Sequence, residues 1–248
     1  VYTNQEEIKH ILYYLGVVPH KETNILQKTN GTKVFLNGSL IGYYEDPVNL
    51  VTTFRRMRRA GRINYGVNIV YLESNGGCRE VYVNSDSGRV QRSLIVVENG
   101  KPKLTPEHII KIKSGELTCD SLAKMGVIEY LDADEEENAY IAISQDDLTS
   151  EHTHLEIATY AILGVCASIV PYAEYNQSPR NSYESAMAKQ ALGIYATNYF
   201  DRVDSRSHIL HSPQTPLVET KPSEIVGYTS RPSGQNCLVA VLSFEGYN

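Results

Sequence analysis

The sequence predicts an α+β chain: a mixed, β-rich, multidomain arrangement with short helices. Three observations carry that expectation. Runs rich in β-branched and aromatic residues dominate residues 33–43 and 67–97. The turn residues Asn37-Gly38, Gly76-Gly77 and Asp86-Ser87-Gly88 break those runs into hairpin lengths. Helical spacing of apolar residues is confined to short, well-bounded stretches. With 248 residues and 42% hydrophobic content, the chain can bury a sizeable core.

In chain order, the first element is a helix over Thr3 to Gly16, with Thr3 or Asn4 as cap, Ile8, Ile11, Leu12 and Leu15 as the apolar stripe, and Gly16 as the stop. Residues 17–31 read as loop. A hairpin follows over Lys33 to Tyr43, turning at Asn37-Gly38. The next helix has the clearest signals in the chain. Asp46 caps it, Pro47 suits its first position, Leu50, Val51, Phe54 and Met57 form one face, and Gly61 ends it. Its last turn carries Arg55, Arg56, Arg58 and Arg59, where cations meet the negative end of the helix dipole. The sequence alone reads these arginines as a solvated helix end. Their other use is contact with a phosphate or a partner. Strands are expected at 68–72, 80–84 and 94–97, and the glycine-rich turns between them lack the spacing of a phosphate-binding loop.

Pro102 to Pro106 reads as a boundary, followed by a helical segment from His108 to Gly126 that is interrupted near Ser114-Gly115. Strands at 127–131 and 139–143 flank Asp132-Ala133-Asp134-Glu135-Glu136-Glu137, which is expected to be a solvated acidic turn because its spacing matches no calcium loop. His152, His154 and Glu156 raise the question of a metal-dependent hydrolase, since alternate strand residues share a face. No third His or Cys ligand lies nearby, which favours polar residues that pin the chain where it enters the core. The apolar run 161–170 is expected to be buried, backing the segment Pro171 to Gly193.

Within that segment Asn176, Gln177, Ser178 and Pro179 form a turn cluster, and the chain is expected to reach Arg180 extended. Asn181 or Ser182 then caps a helix whose spacing sets Lys189 and Gln190 beside Arg180 and Tyr183 on a cationic rim. Small residues at Ser185, Ala186, Ala188, Ala191 and Gly193 leave room for an extended backbone or a nucleic acid strand. Beyond it, 209–218 is expected to be irregular because of Pro213 and Pro216, 231–236 a turn, and 238–242 a buried strand.

Net charge is -6, so nothing global argues for nucleic acid binding, but the charge is segregated. The stretch 129–151 holds acids without a single Lys or Arg, whereas basic residues outnumber acidic ones over 1–65. Cys78, Cys119, Cys166 and Cys237 are scattered, with no CxxC pair, which suits a reducing compartment. No apolar run has the length of a membrane span, and no membrane partner is expected. The missing initial Met and the ending straight after a strand-like run suggest a piece of a longer polypeptide.

The run Asn176-Gln177-Ser178-Pro179-Arg180-Asn181-Ser182-Tyr183 through Ala186-Met187-Ala188-Lys189-Gln190-Ala191-Leu192-Gly193 strongly resembles the second-largest subunit of multisubunit DNA-directed RNA polymerases. Segments along nearly the whole chain agree, among them Thr32 to Gly38, Ser87 to Val90, Glu129 to Ala133, His152 to Ile157, Pro213 to Leu217 and Gly234 to Asn248. The wording is similar to the archaeal type and close to the eukaryotic one. The resemblance implies a first external domain over 1–100, a second over 101–163, and the N-terminal half of the hybrid-binding domain over 164–248. It implies DNA-templated RNA synthesis by two-metal nucleotidyl transfer, with Mg²⁺ held mainly by the largest subunit and none by this stretch, which is expected to be inactive alone. It implies as partners the largest subunit, other polymerase subunits, the RNA–DNA hybrid and nucleotide triphosphates, in the cytoplasm for an archaeal type and the nucleus for a eukaryotic one. By the same resemblance Arg180 contacts the triphosphate, Tyr183 lies beside it, and Lys189 and Gln190 approach the RNA near its growing end. Tyr175 stands where related loops often carry His, and Ala188 where eukaryotic relatives often carry Gly; neither removes a contact group.

Two other readings compete. A structural role for Arg180 pairs it with Glu174 or Glu184. A non-catalytic scaffold reading has the chain dock factors through Arg55 to Arg59.

Overall fold

The computed structural model describes residues 5–24, 31–73, 77–193 and 195–246. The expected caps Thr3 and Asn4, and Gly76 of the second glycine turn, lie outside them. The chain divides into two compact units, Val1–Thr159 and Tyr160–Asn248.

In the first unit, helix α1 (Gln5–Tyr14) buries Ile8 and Leu12, and Gly16 ends it with a left-handed φ of 102°. Strands β1 (Val18–Pro19), β2 (Thr32–Leu36) and β3 (Ser39–Tyr44) follow. The β2–β3 hairpin turns where expected, with Asn37 and Gly38 both at positive φ, the geometry that Asn-Gly supplies at low cost. Helix α2 (Pro47–Arg59) starts as its sequence predicts, with the Asp46 carboxylate accepting from Asn49 N at 3.1 Å and Pro47 in the first turn. Strands β4 (Asn68–Glu73) and β5 (Arg79–Asn84) complete a sheet ordered β1-β3-β2-β5-β4, in which β2 and β5 are parallel and the other pairs antiparallel. Leu50, Val51 and Phe54 of α2 pack with Ile8 and Leu12 of α1 against Val34, Ile69, Val81 and Val83 to form the main core.

A second sheet of the same unit is organised around β6 (Gln91–Glu98). It pairs antiparallel with β7 (Lys101–Pro102), β8 (Ile128–Asp132) and β10 (His154–Leu155), and β10 pairs parallel with β9 (Ile141–Ala142). The helical segment after Pro102 is interrupted as expected: α3 (Pro106–Lys113) stops at Gly115, φ 80°, and α4 (Cys119–Lys124) buries Leu122. Between β8 and β9 the acidic run is not a solvated turn. It forms helix α5 (Ala133–Glu137), capped by the Asp132 carboxylate, which accepts from Glu135 N at 2.9 Å.

The second unit has little regular structure: α6 (Val165–Ser168), α7 (Ser178–Ala188), α8 (Lys221–Ile225), single-turn 3₁₀ segments, and a parallel pair of β11 (Leu192–Gly193) with β12 (Ile209–Leu210). Two expectations fail here. The run 161–170 is not buried: Ile162, Leu163 and Val165 are exposed, and Ser168 is its buried residue. Leu238 to Leu242 forms no strand, with Leu238 102% and Val241 94% exposed. In both, apolar composition records a need for cover: α7 and α8 lie against Val165–Ser168 yet leave Ile162, Leu163 and Val165 exposed, and among the described residues 238–242 pairs with no strand.

Candidate functional site

Helix α7 begins four or five residues earlier than its sequence suggests. Gln177 is the extended residue before it (φ −69°, ψ 140°), and Pro179 lies in the first turn, where a missing N–H costs nothing. Asn181 is therefore not the cap but a clamp. Its Nδ2 donates to Ala173 O at 2.9 Å, and its Oδ1 accepts from Asn176 Nδ2 at 3.2 Å. The clamp ties the 3₁₀ turn Ala173–Tyr175 to the helix, and Tyr172 enters that turn in the left-handed region, φ 54°.

Arg180 and Tyr183 are exposed on the first half of α7, with the guanidinium carbon 5.6 Å from the tyrosine ring centroid. That is a cation–π contact, worth about 0.5–1 kcal/mol at an exposed site. Among the described residues Arg180 forms no ion pair, with Glu174, Glu184 or any other acid, so its hydrogen-bonding fork is open to an anion. Gln190 lies in the turn just past the helix, its backbone N donating to Met187 O at 2.9 Å. Lys189 is the C-terminal flanking residue of α7, a half-turn round the axis from Arg180. All four side chains are solvent-facing, but Arg180 and Lys189 are not on one side of the helix.

A second polar cluster lies in the first unit, and it absorbs residues the sequence suggested for other uses. Arg58 is 2% exposed; its guanidinium donates to Glu135 at 2.8 Å through both Nη atoms, to Glu129 at 3.1 Å, and to Val67 O at 2.8 Å. Arg59 forks onto both oxygens of Glu129 at 3.0 Å, and Arg55 Nε donates to Glu135 at 2.9 Å. Asn68 Nδ2 also donates to Glu135, at 2.6 Å. Burial alone raises the Glu129 carboxyl. Arg58 beside it, with hydrogen bonds from His154 and Arg59, outweighs burial and holds Glu129 well below the usual carboxylate range. Burial likewise opposes ionisation of Glu135, and Arg58, Arg55 and Asn68 overcome it and lower the group. Arg55, Arg58 and Arg59 are thus internal structure rather than a solvated end or docking surface, and of the four arginines Arg56 is the exposed one.

The suggested histidine site disperses in the same way. His154 Nε2 hydrogen-bonds Glu129 at 2.9 Å, and Glu156 accepts from Arg92 at 2.5 Å. His152 stacks on Tyr140, ring centroids 4.2 Å apart, while its Nδ1 accepts from Thr149 N at 3.0 Å. Among the described residues no three His, Cys, Asp or Glu side chains gather as a metal site. Asn181, Glu129 and Glu135 are the residues whose roles the sequence missed. Only a pairing of the arginine run with the acidic run, opposite charges far apart in the chain, could have signalled the last two.

Comparison with known proteins bears on the whole chain. Family models for RNA polymerase Rpb2 match it in sequence order: domain 4 over residues 34–98, domain 5 over 120–162 and domain 6 over 166–248. The chain is similar to the DNA-directed RNA polymerase subunit Rpo2 of Saccharolobus solfataricus, 53% identical over 99% of this chain and 22% of that protein. It is 48% identical to the Rpo2 subunit of Sulfolobus acidocaldarius, with 99% of this chain and 22% of that protein covered. With the DNA-directed RNA polymerase III subunit RPC2 of Saccharomyces cerevisiae the identity is 41%, over 98% of this chain and 21% of that protein. The chain therefore spans about a fifth of the length of the relatives it matches.

Proposed function

The chain belongs to the family of second-largest subunits of multisubunit DNA-directed RNA polymerases, and on that premise we propose that within the assembled enzyme it supplies one wall of the nucleotide-addition site. The observation that carries this is Arg180: exposed, unpaired with any acid among the described residues, and held over Tyr183 at the clamped start of α7.

Nucleotidyl transfer has the RNA 3′ hydroxyl attack the α-phosphate of the incoming nucleotide, with pyrophosphate leaving. Divalent cations supply Lewis-acid stabilisation in that chemistry, and by resemblance to the family we assign them mainly to the largest subunit. Arg180 holds the triphosphate through charge-assisted hydrogen bonds, neutralising charge that builds on the leaving end. Tyr183 keeps the guanidinium extended. Lys189 and Gln190 meet the RNA near its growing end. The three-part division at about residues 100 and 163 is part of the same reading, with the largest subunit, the RNA–DNA hybrid and nucleotide triphosphates as the partners of α7.

The test is single-nucleotide addition by polymerase reconstituted with Arg180→Ala. A lost arginine–phosphate bond of about 1.5–3 kcal/mol slows addition, or raises the nucleotide concentration required, by about ten- to a hundredfold. Unchanged elongation kinetics would remove Arg180 from the site. Arg180→Lys keeps the charge but not the planar fork, and is expected to recover only part of the loss.

A further inference from the structure

Helix α3 is well specified locally and buries nothing. Pro106 occupies its first turn, His108 Nδ1 accepts from Thr105 N at 3.2 Å, and Ser114 N and Gly115 N donate to Ile110 O and Ile112 O at its end. Yet every residue of α3 is exposed except half-buried His108, and Ile110 is 66% exposed. An eight-residue helix is marginal in water by itself, so what holds this one is its flanks. Leu104 before it packs against both buried clusters of the second sheet, and Leu117 after it packs against one of them. The flanking leucines point inward and the isoleucines outward, on a helix anchored at both ends.

The outward residues form a stripe. Ile109 and Ile112 are three apart, Ile109 and Lys113 four apart, and Ile110 and Lys113 three apart, so Lys113 stands between isoleucines on one face. Among the described residues neither Lys111 nor Lys113 forms an ion pair, and Glu107, the one acid of the helix, lies off the stripe. Three exposed isoleucines grouped about a lysine on one short helix mark an interaction site more often than isoleucines scattered singly over a surface do. Any cover that excludes water from the isoleucines also desolvates Lys113, which is unfavourable unless an opposite charge is delivered to it. A second copy meeting this stripe brings lysine towards lysine with no acid on the stripe to offset them.

We propose that α3 is a docking surface for an acidic segment of another polypeptide in the assembled polymerase, one that seats a carboxylate on Lys113 within a ring of apolar side chains. The proposal rests on the multisubunit setting of the family and not on the roles given to Arg180, Tyr183, Lys189 or Gln190, so elongation kinetics and this test fail separately.

The experiment compares amide hydrogen exchange over residues 106–113 in the free chain and in the assembled polymerase, and couples lysines to touching carboxylates with a zero-length carbodiimide. The expected result is exchange at least about tenfold slower in the assembly, with Lys113 joined to an Asp or Glu of a different chain. Lys113→Arg should keep the protection and abolish the coupling, whereas Lys113→Glu should lose the protection, with the basal fold intact because the side chain is exposed. Equal exchange in the two states overturns the proposal. So does protection without a Lys113 carboxylate coupling, or a dimer of the free chain that Lys113→Glu dissolves, which would make the occupant a second copy.

Discussion

Arg58 and Arg180 are the same residue type on the same type of element, and the structure uses them in opposite ways. Arg180 lies in the first turn of its helix, exposed and, among the described residues, unpaired with acid. Arg58 lies in the last turn of its helix, closed over by Glu129 and Glu135 from 71 and 77 positions away in the chain. A local motif singled out the first as a candidate, whereas nothing near the second signals its partners. Replacing Glu135 by Gln leaves the Arg58 charge buried with one carboxylate fewer, and the expected destabilisation is about 3–5 kcal/mol, read from denaturant unfolding of the first unit. A loss under about 1 kcal/mol would show the cluster to be solvated after all. Asn181→Ala removes both side-chain bonds of the clamp. A stability loss of about 1–2 kcal/mol in the second unit is expected, together with slower nucleotide addition that Arg180→Ala does not further compound. Additive defects in the double variant would separate the clamp from Arg180.

At the scale of elements, the helices and hairpin with punctuation at both ends were legible. Asp46, Pro47 and Gly61 bound α2, and Asn37-Gly38 turns the hairpin, because caps and left-handed positions depend on neighbours within a few residues. Helix α7 was legible as a helix but not in its start, since a proline can either precede a helix or sit in its first turn. The runs 161–170 and 238–242 were misread because hydrophobicity states that a residue needs cover without stating where the cover is. The fully buried Phe54 shows what packing adds when the cover is present. Phe54→Ala should destabilise the first unit by about 3–5 kcal/mol, while Val48→Ala, on the exposed side of the same helix, should stay within about 0.5 kcal/mol. Gly126 tests a different constraint: its φ is 66°, and an added Cβ would meet the Arg59 carbonyl oxygen at 2.6 Å. Gly126→Ala is expected to lower thermal stability although it adds a single methyl, and a neutral result would mean that the α2–β8 approach can relax.

For the molecule as a whole, acid stability follows from the charge cluster. Glu129 and Glu135 ionise at lower pH in the folded chain than in the unfolded one, so the unfolded chain binds more protons as pH falls. Their stabilisation is complete above the ordinary carboxylate value, about 4.3, and is lost as pH drops through their lowered folded values. Thermal melting of the first unit should therefore be nearly level from about pH 7 to 5 and fall steeply below about pH 4, with a weaker dependence in Glu135→Gln. A first-unit midpoint that held down to about pH 3 would contradict the buried ion pairs. By itself the sequence determined the α+β class, most element positions in the first unit, and the polymerase family through the run around Arg180. These depend on turns, caps, periodicity and motifs, all local along the chain. Tertiary structure alone decided that the arginine run and the acidic run are one buried cluster, that Asn181 clamps rather than caps, and that the isoleucines of α3 face solvent. The first joins residues 71 and 77 positions apart, and all three depend on burial and on where a partner or cover lies, which residue order does not encode locally.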